Sequence, residues 1–175
     1  MLRGRILEMV PQRRPFRFIG EILELDEKHI IGTYQFRHDE YFYRGHFPGL
    51  PITPGVILIE TMAQTGVVAF GLYLNLLRGK EEKRIEDPVT LFTLAEKVEF
   101  SGVVRPSELV RITGRKVYFR GNQIKVDCVM TRPDGEEVCS STLAGKGVSW
   151  EKFMEQRERD PAPIVTGRVK EETGS

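Results

Sequence analysis

Gly45-His46-Phe47-Pro48-Gly49-Leu50-Pro51-Ile52-Thr53-Pro54-Gly55-Val56-Ile57-Leu58-Ile59-Glu60-Thr61-Met62-Ala63-Gln64 joins a glycine- and proline-dense loop to the start of a long apolar helix. From Val56 to Leu77 only Glu60, Thr61, Gln64, Thr65 and Asn75 are clearly polar, so the helix has almost no polar stripe and reads as buried. A carboxylate in such a helix costs stability unless it is paired or used in chemistry, which makes Glu60 a candidate functional group. Thr53-Pro54-Gly55 reads as an N-cap, a proline at the first helical position and a glycine. The first N–H groups of a helix lack internal partners and favour an anion or a polarised carbonyl oxygen. Gly55 has no side chain to keep a ligand from its N–H. An imidazole (His46), a carboxylate (Glu60) and an oxyanion donor (Gly55) together suit proton abstraction beside a carbonyl.

His46-Phe47-Pro48-Gly49 followed by Pro54-Gly55-Val56-Ile57-Leu58-Ile59-Glu60-Thr61-Met62-Ala63-Gln64 resembles the 3-hydroxyacyl-[acyl-carrier-protein] dehydratases of the hot-dog fold, the FabZ type. The resemblance extends more weakly from about Pro11 to about Val148. It departs from the family pattern at Gln12, where a histidine is usual, and at Gly20, where an aspartate is usual. In Val103-Val104-Arg105-Pro106-Ser107-Glu108, Ser107 and Glu108 stand where the family has glycine and aspartate.

The 175 residues, 40% hydrophobic and 29% charged, are ordinary for one globular domain. A formal net charge of +1 gives no global field that would select nucleic acid. Cys128 and Cys139 are too few for a disulfide framework and suit a reducing cytosol, the expected location. No signal peptide is evident, since no sustained apolar core forms before Pro11. Thr61 to Leu77 is the one charge-free run; it falls short of a membrane span and reads as a buried helix. No His/Cys spacing resembles a metal site, and His29 and His38 read as exposed.

In chain order, Ile6–Val10 reads as a short helix stopped by Pro11, and Ile19–Leu25 and His29–Phe36 as a hairpin around Asp26-Glu27-Lys28. Arg78–Pro88 is a charged linker. Beyond it come short strand runs at Val98–Phe100, Leu109–Gly114 and Lys116–Phe119, then an alternating strand, Ile124 to Thr131. A turn at Pro133-Asp134-Gly135 precedes a last strand, Glu136–Val148. Cys128 and Cys139 share a face of that hairpin if its turn has two residues, without standing directly opposite. One long helix beside antiparallel strands is an α+β domain, the sheet wrapped around the helix, over residues 1–150. Residues 151–175 read as a short charged helix and a mobile tail.

The resemblance implies removal of water from a (3R)-3-hydroxyacyl thioester to give the trans-2-enoyl thioester in fatty acid biosynthesis. It assigns His46 to the proton at C2 and Glu60 to the C3 hydroxyl. The thioester oxygen falls to the Gly55 N–H, and Phe47, Pro48 and Gly49 are expected to contact substrate. Gln64, one turn beyond Glu60, is expected to position it. No cofactor or metal is expected. The implied partner is an acyl carrier protein, with Arg13, Arg14, Arg17, Arg44 and Arg105 as candidates for steering it. At least a homodimer, or a trimer of dimers, is implied, and the apolar Val56–Leu77 helix points the same way because it needs cover on every side. The alternatives are a hot-dog thioesterase, which generally lacks the His-Phe-Pro-Gly loop together with the helix glutamate, and a non-catalytic carrier-binding subunit. Isomerisation to the cis-3 product belongs to a sister family whose helix acid is usually aspartate.

Overall fold

The computed structural model describes residues 2–78, 88–149 and 154–155. Most of the charged linker and nearly all of the expected tail lie outside those residues. Helix α1 covers Leu2–Met9; strands β1 (Glu21–Leu25) and β2 (His29–Gln35) form a hairpin; helix α2 runs from Gly55 to Leu77. Four strands follow: β3 (Pro88–Phe100), β4 (Leu109–Arg120), β5 (Gln123–Thr131) and β6 (Glu137–Ser149). The two runs read at 109–119 are one strand, and β3 begins ten residues before the run read at Val98.

All neighbours are antiparallel in one six-stranded sheet ordered β1-β2-β4-β5-β6-β3. The inner faces of β4 and β5 alternate as the sequence pattern requires: Val110, Ile112, Ile124, Val126, Cys128 and Met130 are buried. They pack with Ile57, Leu58, Met62, Val67 and Phe70 of α2 in one core. The sheet curls round a single long helix, which is the hot-dog fold. Although α2 is long and apolar enough to cross a membrane, 78% of its apolar window is buried inside the fold. Cys128 faces Ser141 and Cys139 faces Met130, so the thiols sit diagonally on one buried face. Burial raises both, Cys139 to about 11, which keeps them protonated and unreactive.

Two local features set how α2 lies. Its middle, Gln64–Ala69, is π-helical: the Phe70 N–H reaches back to the Thr65 carbonyl. That segment presses against the sheet, where a Cβ on Gly66 would lie 2.5 Å from Cys128 Sγ and one on Gly114 only 3.2 Å from Gly66 Cα. Glycine at both positions lets helix and sheet touch through backbone.

The turn after β3 closes through Ser107 and Glu108. Ser107 takes φ +67°, a left-handed conformation that glycine adopts without strain, and its N–H bonds to the Phe36 carbonyl at 2.9 Å. His29 is not exposed as expected. Its side chain is 26% exposed, held between Glu24 at 3.2 Å and Asp26 at 3.0 Å because the β1–β2 turn folds both carboxylates over it. His38 is exposed.

Candidate active site

The loop before α2 is held from below. A 3-10 turn, Tyr41–Arg44, offers its Phe42 carbonyl to the Gly45 and His46 N–H groups at 3.2 and 3.0 Å. Glu40, fully buried, anchors the start of that turn by accepting from Tyr34 Oη at 2.5 Å and Arg37 Nη2 at 3.0 Å. Phe47-Pro48-Gly49-Leu50 then reverses the chain, with Phe47 and Leu50 exchanging backbone bonds and Gly49 at φ +79°. Proline and glycine at the two central positions are the composition of a type II turn. Pro48 and Gly49 thus shape the loop, and both are exposed. Phe47 stacks on the His46 imidazole, centroids 4.1 Å apart.

His46 is half-buried, and its Nδ1 lies 3.0 Å from the Ile52 carbonyl. A carbonyl only accepts, so Nδ1 carries the hydrogen and Nε2 holds the free lone pair of a base.

Helix α2 starts one residue later than the sequence pattern predicts. Pro54 is the N-cap, at φ −58° and ψ 138°, and makes no side-chain cap bond. Thr53 does not cap, because a tertiary contact takes its side chain: its hydroxyl pairs with Tyr43 Oη at 2.8 Å, and its N–H donates to the Val104 carbonyl. Ile57 and Leu58 both donate to the Pro54 carbonyl, and the Gly55 N–H has no acceptor among the described residues. Gly55 has a second reason to be glycine. A Cβ there would stand 2.9 Å from Cε1 and Cζ of Phe100, so the ring of an edge-strand residue occupies that space.

Glu60 lies one turn on, half-buried. Burial pushes its carboxyl above the usual glutamate range, and a hydrogen bond from Gln64 partly offsets that. Gln64 is fully buried and donates from Nε2 to Glu60 Oε1 at 2.8 Å and to the Phe16 carbonyl at 2.9 Å. Its Oε1 accepts from the Phe18 N–H at 2.7 Å. The strap before β1 is therefore part of the site, and so is Phe100, at the end of β3. Neither carries a local sequence signal, since the first acts through backbone and the second reads as an ordinary edge hydrophobe. No hydrogen bond or ion pair joins His46 to Glu60 among the described residues. No cluster of three or more His, Cys, Asp or Glu side chains that could hold a metal ion occurs among them either.

The arginines divide by environment. Arg13 donates to the Val10 and Gln12 carbonyls and Arg17 to the Leu7 carbonyl, which ties down the N-terminal segment. Arg105 pairs with Glu108 at 3.6 Å. Arg44 is exposed and has no partner among the described residues.

Residues 10–141 match a family described as a FabA-like domain. The chain is 36% identical over 140 residues to the 3-hydroxyacyl-[acyl-carrier-protein] dehydratase FabZ of Caldicellulosiruptor bescii, covering 79% of this chain and 93% of that one. The FabZ of Bacillus pumilus is 34% identical over 140 residues, covering 79% and 90%. Among solved structures, the dehydratase heterocomplex ApeI:P from Xenorhabdus doucetiae superposes with a TM-score of 0.69 at 12% identity, covering 86% of this chain and 95% of that one. Thioesterase HI1161 of Haemophilus influenzae gives 0.52 at 17% identity, covering 74% and 78%. At such identities both speak to the fold alone.

Proposed function

The chain belongs to the FabA-like family and within it to the FabZ-type 3-hydroxyacyl-[acyl-carrier-protein] dehydratases, and on that premise we propose that His46 and Glu60 carry out the dehydration it catalyses. The reaction converts the 3-hydroxyacyl thioester to the 2-enoyl thioester and water in fatty acid biosynthesis. His46 Nε2 takes a proton from C2 as enolate-like charge gathers on the thioester oxygen. The Gly55 N–H faces that oxygen; one such donor is typically worth about 3 kcal/mol in the transition state. Glu60, whose titration burial raises, gives its proton to the C3 hydroxyl, which leaves as water while the C2–C3 double bond forms. A proton passing from His46 to Glu60 through solvent resets the pair.

The observation that carries this division of labour is the Nδ1 bond from His46 to the Ile52 carbonyl. It makes the imidazole a base at Nε2 and leaves the acid's part to Glu60. His46→Ala and Glu60→Gln should each lower turnover of carrier-bound substrate by roughly a hundredfold or more with the fold intact. Near-normal dehydration by either variant refutes the assignment.

The active unit is at least a dimer, with His46 of one subunit facing Glu60 of another. The reason drawn from the sequence holds only for the start of α2, because its own sheet covers most of the rest. The uncovered apolar surface is instead a patch shared by the first turn of α2, the loop and the free edge of β3: Val56 is 70% exposed, Leu50 68% and Phe100 52%. Sedimentation of an active monomer at working concentration contradicts this. The expected carrier contact narrows to Arg14 and Arg44, since the other three candidates are engaged within the chain. A cytoplasmic location fits an enzyme acting on carrier-bound intermediates.

A further inference from the structure

Gln64 is an amide whose orientation the backbone dictates. The Phe18 N–H can only donate and the Phe16 carbonyl can only accept, and they stand 2.7 Å from Oε1 and 2.9 Å from Nε2. Turning the amide over would set donor against donor and acceptor against acceptor at complete burial, each an unpaired polar group. The group presented to Glu60 is therefore always NH2, 2.8 Å from Oε1. A proton on that oxygen would face another hydrogen.

We infer that Gln64, locked by the Phe16 and Phe18 backbone, reserves Oε1 of Glu60 as an acceptor and leaves Oε2 as the oxygen that bears the proton given to the departing hydroxyl. This rests on the reading of Glu60 as the acid. Gln64 is a positioning residue: it touches no reacting atom, but it decides which carboxyl oxygen is an O–H and which way it points. The strap at 16–18, more than forty residues away in sequence, becomes the fixed reference for that geometry. Protonation is balanced by the same arrangement. When Oε2 loses its proton to the hydroxyl, the carboxylate keeps the charge-assisted bond at Oε1, so the acid does not swing away before it is reprotonated.

The test uses the full chain carrying Gln64→Met, which removes both donor and acceptor at similar volume, with thermal unfolding as a check on the fold. Turnover should fall roughly ten- to a hundredfold, the cost of a misplaced reacting group, with KM within about twofold. The alkaline limb of the pH profile should move upward, because a donor that stabilises the carboxylate has gone. In infrared difference spectra, the protonated-carboxyl band lost in Glu60→Gln should rise in frequency in Gln64→Met, its carbonyl oxygen no longer accepting a bond. Gln64→Glu, which keeps the shape and the acceptor for Phe18, carries the same kinetic test should the methionine variant fail to fold. If Glu60→Gln is inactive while the Gln64 variants keep wild-type turnover, pH limb and carboxyl band, this inference is wrong and the acid assignment stands. If Glu60→Gln remains active, the acid assignment itself fails.

Discussion

Gly55→Ala is a small change whose sign should depend on a residue of another element. An added Cβ would meet the edge of the Phe100 ring at 2.9 Å, whereas carbon atoms rest at about 3.5–4.0 Å. The ring must therefore retreat by roughly 0.6–1 Å. Were it held fast, overpacking of this kind would cost about 1–3 kcal/mol. Phe100 is 52% exposed within its own subunit at the end of an edge strand, and the proposed dimer covers it, so the loss should fall within that range, about 1–3 kcal/mol by urea unfolding. Helix propensity favours alanine over glycine by up to about 1 kcal/mol, less at a first helical position, and this gain is masked while the ring is there. With Phe100→Ala in place the clash is gone, and Gly55→Ala should become neutral or stabilising by some tenths of a kcal/mol. Turnover should follow the same cycle. In the parent the single change moves a wall of the site by most of an ångström, which can cost up to about a hundredfold, and in the Phe100→Ala background it should cost far less. Equal effects of Gly55→Ala in both backgrounds, on stability and on rate, would show that Phe100 is not what excludes a side chain at this position.

Glu60→Gln should raise stability at neutral pH. The folded carboxyl titrates above the usual 4.5, so the native state binds more protons than the unfolded one between those two values, and stability falls as pH rises through that window. The variant lacks that loss, and its advantage in melting temperature over the parent should shrink below about pH 4.5. Ser107→Gly should stabilise by under about 1 kcal/mol, since relief of the left-handed strain, about 1–2 kcal/mol, is partly offset by the entropy glycine adds to the unfolded chain; destabilisation in a urea titration would contradict it. Arg44→Glu should raise KM for carrier-bound substrate, increasingly at low salt, and leave a small thioester analogue nearly unaffected. Equal losses with both substrates would place Arg44 in the pocket or in folding instead.

The α+β layout was legible because each element carries its own periodicity: β5 alternates residue by residue, and α2 is apolar from Val56 onward. The grouping of His46, Gly55, Glu60 and Gln64 as a candidate site could be drawn from the sequence because they are close along the chain, on one loop and the helix that follows it. What escaped was set by distant contacts. Thr53 has the right chemistry for an N-cap, yet Tyr43 and Val104 claim it. The roles of Phe16, Phe18 and Phe100 depend on where β1 and β3 begin and end relative to α2, which no local pattern encodes. Glu40, which carries no local signal, is buried beneath Arg37 and Tyr34.

The π segment at Gln64–Ala69 lets α2 carry one residue more than a plain α-helix while its two halves keep their faces. Each residue in an α-helix turns the chain by about 100°, and a π turn takes up one residue more than an α turn would. Removing a single residue there would let the helix close as plain α-helix. Glu60 and everything before it would stay where the loop puts them, and Phe70–Leu77 would keep nearly the same face to the sheet, because the shorter α turn sweeps about the same angle as the π turn it replaces. Loss of one residue at this point is therefore tolerable to the acid and to the core behind it, whereas the same loss elsewhere in the helix would rotate one against the other. Spacing counted from His46 should hold among related chains as far as Gln64, and the place to look for drift is the turn that follows.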